Sequence, residues 1–221
     1  MSRLRLYHSR LAGRSEGGFT LVEMMVVTAL LGAILAICFG FLTSAQRTEA
    51  KQENRSQSND LARQAAQQID RQIRSGNVLY DPSAEVVGGV NNAGTNPDNS
   101  AIPAGWSLRV FTQANASQKC VQWRVLNTGA LQTRSWSQTW AQDGQVSGWT
   151  TVTTGIVNPS NQPPFKLDSV SSYGSRLVDI DLVAQASTGS GQNVEVQLSV
   201  TGRNTEYYSS NSGLCSSIPT P

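Results

Sequence analysis

The stretch Gly17-Gly18-Phe19-Thr20-Leu21-Val22-Glu23, followed by an apolar run to Leu42, decides how the rest of this chain is read. From Phe19 to Leu42 the residues are helix-forming and apolar over more than the about 20 needed to cross a bilayer, yet one carboxylate, Glu23, interrupts them near the start. A charge at that depth calls for a partner. Ahead of it Arg3, Arg5, Arg10 and Arg14 form a basic leader of the kind that stays cytoplasmic, ending in two glycines that a protease can approach closely. A cut after Gly18 creates a free amine on Phe19, four residues from the acid.

Gly18-Phe19-Thr20-Leu21-Val22-Glu23 resembles the prepilin cleavage and methylation motif of type IV pilins and of the pseudopilins of type II secretion systems, with every motif position filled. The resemblance covers only the first quarter of the chain. It implies that a membrane-embedded prepilin peptidase cuts between Gly18 and Phe19 and N-methylates Phe19. An ordinary secretory signal differs, because its cleavage site follows the apolar segment instead of preceding it. The remaining bland reading is a signal anchor with an accidental Gly-Phe pair.

Removing residues 1–18 leaves 13 basic side chains (17 less Arg3, Arg5, Arg10 and Arg14) and 14 acidic ones (15 less Glu16), a net charge of −1. The basicity of the whole chain therefore belongs to the leader. With 14% charged residues and abundant Ser, Thr, Asn, Gln and Gly, the remainder suits an extracellular β-rich domain better than a cytosolic enzyme. The division expected is a cleaved leader (1–18), a transmembrane helix segment (19–42), its amphipathic continuation (43–75) and an extracellular head (76–221) of 146 residues, enough for one core.

Within the spanning segment Gly32 and Gly40 are the weak points as helix, and Gly40 reads as a hinge or packing notch. Related pilins often lose helical order partway along this segment on assembly, which directs attention to residues 36–44. Residues 43–75 contain no Pro or Gly, and Leu61, Ala65, Ile69 and Ile73 recur every four residues beside Ala62 and Ala66. That stripe is expected to pack on the head. Asp70 and Arg74 have ion-pair spacing, Ser75-Gly76-Asn77 marks the stop, and a helix from Phe19 to Ser75 would be about 85 Å long.

Asp81-Pro82 and the stretch Gly88–Pro103 read as a long loop or surface excursion. Short β-type runs follow at Trp106–Thr112, Cys120–Leu126, Ala130–Trp136, Trp149–Val157, Arg176–Ala186 and Asn193–Thr201, with Asn127-Thr128-Gly129 as a hairpin turn. Val178, Ile180, Leu182 and Ala184 alternate with polar residues, as do Val194, Val196, Leu198 and Val200, so the last pair is an antiparallel hairpin with one dry face. Seating the helix stripe on that face gives an α+β lollipop, one long helix on an antiparallel sheet head. The tail from Ser209 to Pro221 reads as irregular.

Cys38 lies in the apolar run and reads as a packing residue, whereas Cys120 and Cys215 face an oxidising exterior. A Cys120–Cys215 disulfide would pin the tail to the sheet, in agreement with the bond that closes the C-terminal region of many pilins; two free thiols are the alternative. The sole histidine is His8, in the leader, so the mature chain lacks the residue for His-based metal sites and for Ser-His or Cys-His catalysis. No cofactor and no enzymatic activity are expected. Asp179 and Asp181 read as a solvated strand face, Asp98 as loop, and Trp106, Trp123, Trp136, Trp140 and Trp149 as core and subunit contacts. The head carries 7 basic residues (Arg109, Lys119, Arg124, Arg134, Lys166, Arg176, Arg203) against 9 acidic ones, no footprint for nucleic acid.

The expected mechanism is assembly. In the resembling family this glutamate meets the N-terminal amine of a neighbouring subunit, a role carried here to Glu23 and Phe19; an intramolecular pair four residues apart along one helix would serve before insertion. The partners implied are prepilin peptidase, other pilin or pseudopilin subunits and the inner-membrane assembly platform. The long helix, the loop-bearing head and the run Gln67–Tyr80 followed by short strands are similar in style to minor pilins and the pseudopilin J type. A membrane-tethered extracellular binding or adhesion domain using the prepilin pathway, and an anchored hydrolase, are the readings from other classes.

Overall fold

The computed structural model describes residues 18–87, 90–113, 117–168, 177–185, 193–202, 206–207 and 213–219. The leader arginines, Arg176, Arg203 and most of the tail before Gly213 lie outside them. By its contacts the chain divides into two units, one up to Thr48 and one of Glu49–Pro221. The fold is α+β: a long N-terminal helix, α1 (Leu21–Arg74), precedes antiparallel sheets.

Helix α1 begins two residues later and ends one residue earlier than Phe19–Ser75. Thr20 caps its start, the hydroxyl accepting the Glu23 N–H at 3.3 Å, so Phe19 precedes the helix instead of joining it. At the other end the Ser75 hydroxyl bonds the Arg71 carbonyl (2.8 Å) and the Thr112 hydroxyl (2.6 Å). Gly76 then enters a strand at once. A Cβ there would meet Val110 Cγ2 at 2.7 Å, which fits the glycine to this joint.

In the second unit α1 buries Ala62, Ala65, Ala66, Ile69 and Ile73, but Leu61 is 42% exposed. The expected stripe is thus corrected at its first member. Spacing by four overshoots the 3.6-residue turn by about 40° per step, so three steps back from Ile73 carry Leu61 off the face. Burying an isoleucine fully stabilises by roughly 1.5–3 kcal/mol, which makes Ile69 and Ile73 the anchors.

The strands are β1 (Gly76–Leu79), β2 (Val86–Val87), β3 (Val90–Asn91), β4 (Ser107–Thr112), β5 (Lys119–Val125), β6 (Leu131–Trp136), β7 (Thr150–Thr153), β8 (Phe165–Asp168), β9 (Leu177–Ala184), β10 (Val194–Thr201) and β11 (Glu206–Tyr207). One turn of helix, α2 (Trp140–Asp143), follows β6. A six-stranded sheet has the order β11-β1-β4-β5-β6-β7, a three-stranded one β10-β9-β8, and β2 pairs with β3. All pairs are antiparallel except β1 with β11.

One core cluster joins the buried face of α1 to Leu108, Val110, Val121, Trp123 and Leu131 of the large sheet and to Val178, Ile180, Leu182 and Val200 of the β9–β10 hairpin. The hairpin's dry face is therefore part of the same core as the helix stripe. β4 is buried along its whole length and β5 from Cys120 onward, so the other face of the large sheet is covered as well. The cover comes from two segments with little regular structure, the first holding only β3 and a Thr95–Ala101 bridge. Ala93 and Ile102, both 0% exposed, sit in the stretch expected as a surface excursion, and Cys215 in the irregular tail packs with Val78, Tyr80, Phe111, Cys120 and Trp136.

Candidate functional site

Two features of the sequence were tied to function, the N-terminal junction and the cysteine pair. At the junction Gly18 and Phe19 are exposed and non-helical. Glu23 stands exposed in the first turn of α1, where the helix dipole favours a carboxylate. Phe19 lies before the cap and so stands outside the helix that carries Glu23 while the leader is attached.

Beyond Glu23 the helix exposes large apolar side chains all round its circumference, among them Met24, Met25, Leu30, Ile34, Ile37 and Phe41. It is long and apolar enough to cross a membrane. A Cβ built on Gly32 or Gly40 would meet nothing within 4 Å, and Cys38 is exposed. Residues 36–44 are helical in the isolated chain, with the Thr43 hydroxyl bonded to the Gly40 carbonyl at 3.0 Å.

Cys120 and Cys215 form a disulfide with a Cα–Cα separation of 5.7 Å. Side chains of the sheet (Arg109, Arg134), of the residue after β1 (Tyr80) and of α2 (Trp140) hold the tail on either side of it by its backbone oxygens. The Tyr80 hydroxyl donates to the Leu214 carbonyl, Arg109 Nη1 to that of Cys215 (2.7 Å), Trp140 Nε1 to that of Ser217 (3.2 Å) and Arg134 Nη1 to that of Pro219 (3.1 Å).

These donors belong to a buried polar network that the strand pattern did not reveal. Arg109, Gln122 and Arg134 lie side by side across β4, β5 and β6, and Arg134 Nε donates to Gln122 Oε1 at 3.0 Å. Arg124 donates to Gln132 Oε1 (3.0 Å) and to the Ala93 carbonyl (3.2 Å). The guanidinium carbons of Arg124 and Arg134 lie 3.7 and 4.5 Å from the centre of the Trp149 ring. Burial pulls both guanidiniums down to about 10, Arg134 also through its cationic neighbours. Three of the seven head cations are thus spent on internal contacts.

Asp179 accepts from the Ser199 hydroxyl (2.6 Å), Asp181 from the Gln162 amide (2.5 Å) and Asp98 from the Ser100 hydroxyl (2.6 Å) and the Asn127 amide (2.7 Å). The Ser100 hydroxyl, then its backbone N–H, holds the Asp98 carboxyl below its usual range. Among the described residues no three His, Cys, Asp or Glu gather in a way that could hold a metal ion. Trp123 and Trp136 are buried, and Trp106, Trp140 and Trp149 are partly exposed.

Residues 13–39 match the prokaryotic N-terminal methylation motif. No curated protein and no solved structure matches the chain.

Proposed function

We propose that this chain, which carries the prokaryotic N-terminal methylation motif over residues 13–39, is a structural subunit of a type IV pilus-like or type II secretion filament, a minor pilin or pseudopilin. Prepilin peptidase cuts between Gly18 and Phe19 and methylates the new amine. The apolar part of α1 anchors the precursor as a single pass with its N-terminus cytoplasmic and the head outside, where the Cys120–Cys215 bond forms. At the inner-membrane assembly platform the helix leaves the lipid for a bundle of like helices from other subunits.

The observation that carries this reading is an apolar helix whose large side chains are exposed among the described residues, with a single acid in its first turn. In a helix bundle the acid is expensive unless a cation meets it. The Thr20 cap leaves Phe19 off the helix, so its amine is free to reach Glu23 of an adjacent subunit.

Mass spectrometry of the membrane-borne protein tests the processing step: the polypeptide begins at Phe19, one methyl group heavier than the bare residue. In the same cells Glu23→Ala is cleaved normally but incorporated at least ten-fold less into sheared filaments. A start elsewhere ends the filament reading, and unchanged incorporation of Glu23→Ala removes Glu23 from assembly.

A further inference from the structure

The two larger sheets end in four edges, and three of them are guarded. β11 is two residues long; β7 has four residues and slips register against β6 between Leu131 and Gln132; β8 has four residues, follows Pro163-Pro164 and carries Lys166. Short strands, bulges, prolines and lysines are the means by which natural sheets avoid unwanted pairing. β10 has none of them. It runs for eight residues without Pro, Lys or Arg and keeps unbroken register with β9 from Val194–Ala184 to Thr201–Leu177.

The direction of its backbone groups follows from the pairing. The Asp181 N–H bonds the Pro164 carbonyl (2.9 Å), and Val183 bonds Asn158 Oδ1 through its N–H (3.0 Å) and the Val157 N–H through its carbonyl (2.7 Å). Both residues therefore turn their backbone groups away from β10. In an antiparallel ladder the residues opposite them, Gln197 and Glu195, turn theirs away from β9, and by alternation so does Ser199. All three residues are exposed. Beside this edge lies a groove of about 400 Å³, bordered by Arg63, Ala66 and Gln67 of α1 and by Glu195, Val196 and Leu198 of β10. Val196 and Leu198 are only half-buried, whereas Leu182 and Ile180 opposite them are 0% and 1% exposed. The core cover stops one strand short.

We propose that the edge of β10, unpaired among the described residues, takes an extended segment of a partner polypeptide by strand addition. Its alternate apolar side chains continue the row of Val196 and Leu198 over the groove, and the residues between them are basic or hydroxyl-bearing. Charge sets that preference: Asp179, Asp181 and Glu195 stand on the outer face of β9 and β10, and neither strand has a Lys or Arg. A second copy of β10 would bring another Glu195 and no cation, so the partner is a different chain. The inference is independent of processing at Gly18.

The test uses the full chain in detergent and a synthetic peptide alternating valine with lysine or threonine. Amide hydrogen exchange at Glu195, Gln197 and Ser199 slows at least ten-fold at saturating peptide, while Val196 and Leu198, already bonded to β9, do not change. Gln197→Pro, which removes an outward N–H and no hydrogen bond to β9, weakens binding at least ten-fold, and Gln197→Lys weakens it through charge should the proline variant fail to fold. No slowing at the three amides overturns the proposal. So does equal binding of a valine–glutamate peptide, or slowing that appears without peptide and grows with protein concentration, which would identify a second copy.

Discussion

Arg109 grips Glu85 from two nitrogens, Nε at 3.1 Å and Nη2 at 2.8 Å, with both side chains almost wholly out of solvent. The same guanidinium stacks 3.7 Å from the centre of the Tyr80 ring and donates to the Cys215 carbonyl. One side chain of β4 thereby ties the segment after Asp81 and the C-terminal tail to the sheet. Such a pair is costly to form, since each ion loses its water.

Burial pushes the Glu85 carboxyl above its ordinary value of 4.5, and Arg109 opposes that shift only in part. A raised carboxyl means that the folded state binds the proton more tightly than the unfolded one. Stability from this group therefore grows as pH falls from the folded value toward 4.5 and is flat below. Urea unfolding of wild type and Glu85→Gln across this range measures it: the wild-type advantage increases on acidification. An advantage that shrinks would show that the ion pair outweighs burial. Comparing the two proteins at each pH cancels Asp98 and Asp143, whose lowered carboxyls act in the opposite sense.

The Cys120–Cys215 bond closes a loop with a sequence separation of 95. Loop entropy of that size corresponds to an upper figure of about 4–5 kcal/mol, and native bonds of this kind typically contribute roughly 2–5 kcal/mol. Replacing both cysteines by alanine is expected to lower unfolding free energy by that amount and to raise proteolysis of the tail. A loss under about 1 kcal/mol would show that the four side-chain clamps suffice without the bond.

Ile69 and Leu61 separate the buried and exposed parts of one sequence stripe. Ile69→Ala should cost about 2–5 kcal/mol in urea unfolding, as expected for a 0% exposed side chain, whereas Leu61→Ala should cost under about 0.5 kcal/mol. Equal costs would contradict the register of α1 on its core.

Gly129 sits in the β5–β6 turn with φ 79°, and a Cβ on it would meet the Ile156 carbonyl oxygen at 2.7 Å. The Ile156 N–H bonds the Gly129 carbonyl at 2.9 Å, so neither backbone moves freely. Gly129→Ala is expected to destabilise by roughly 1–3 kcal/mol. Thermal unfolding of the variant measures this; an unchanged midpoint would mean that the turn adapts.

The elements legible in the sequence are those whose burial has a period. β9 alternates from Leu177 to Leu182 and β10 along its whole length, α1 carries an apolar face, and the turn at Asn127-Thr128-Gly129 has its glycine at positive φ. β8 was not visible because four residues behind two prolines show no period. The outer face of the large sheet was hidden for a different reason. Arg124, Arg134 and Gln122 occupy strand positions that normally face water, and their cover is supplied by distant segments with no pattern of their own. At the N-terminus the spacing of Glu23 from Phe19 was plain, but the position of the cap on Thr20 was not.

Every clamp on the tail takes a main-chain oxygen, at Leu214, Cys215, Ser217 and Pro219. An oxygen of that kind is supplied by any amino acid, so these four hydrogen bonds do not read side-chain identity; that reading is left to the half-cystine and to Leu214 and Ile218, which pack on the cluster around Trp136. The exposed positions Ser216 and Ser217 can therefore drift in composition, and with them the chemistry displayed to the surroundings, while the same ribbon stays held.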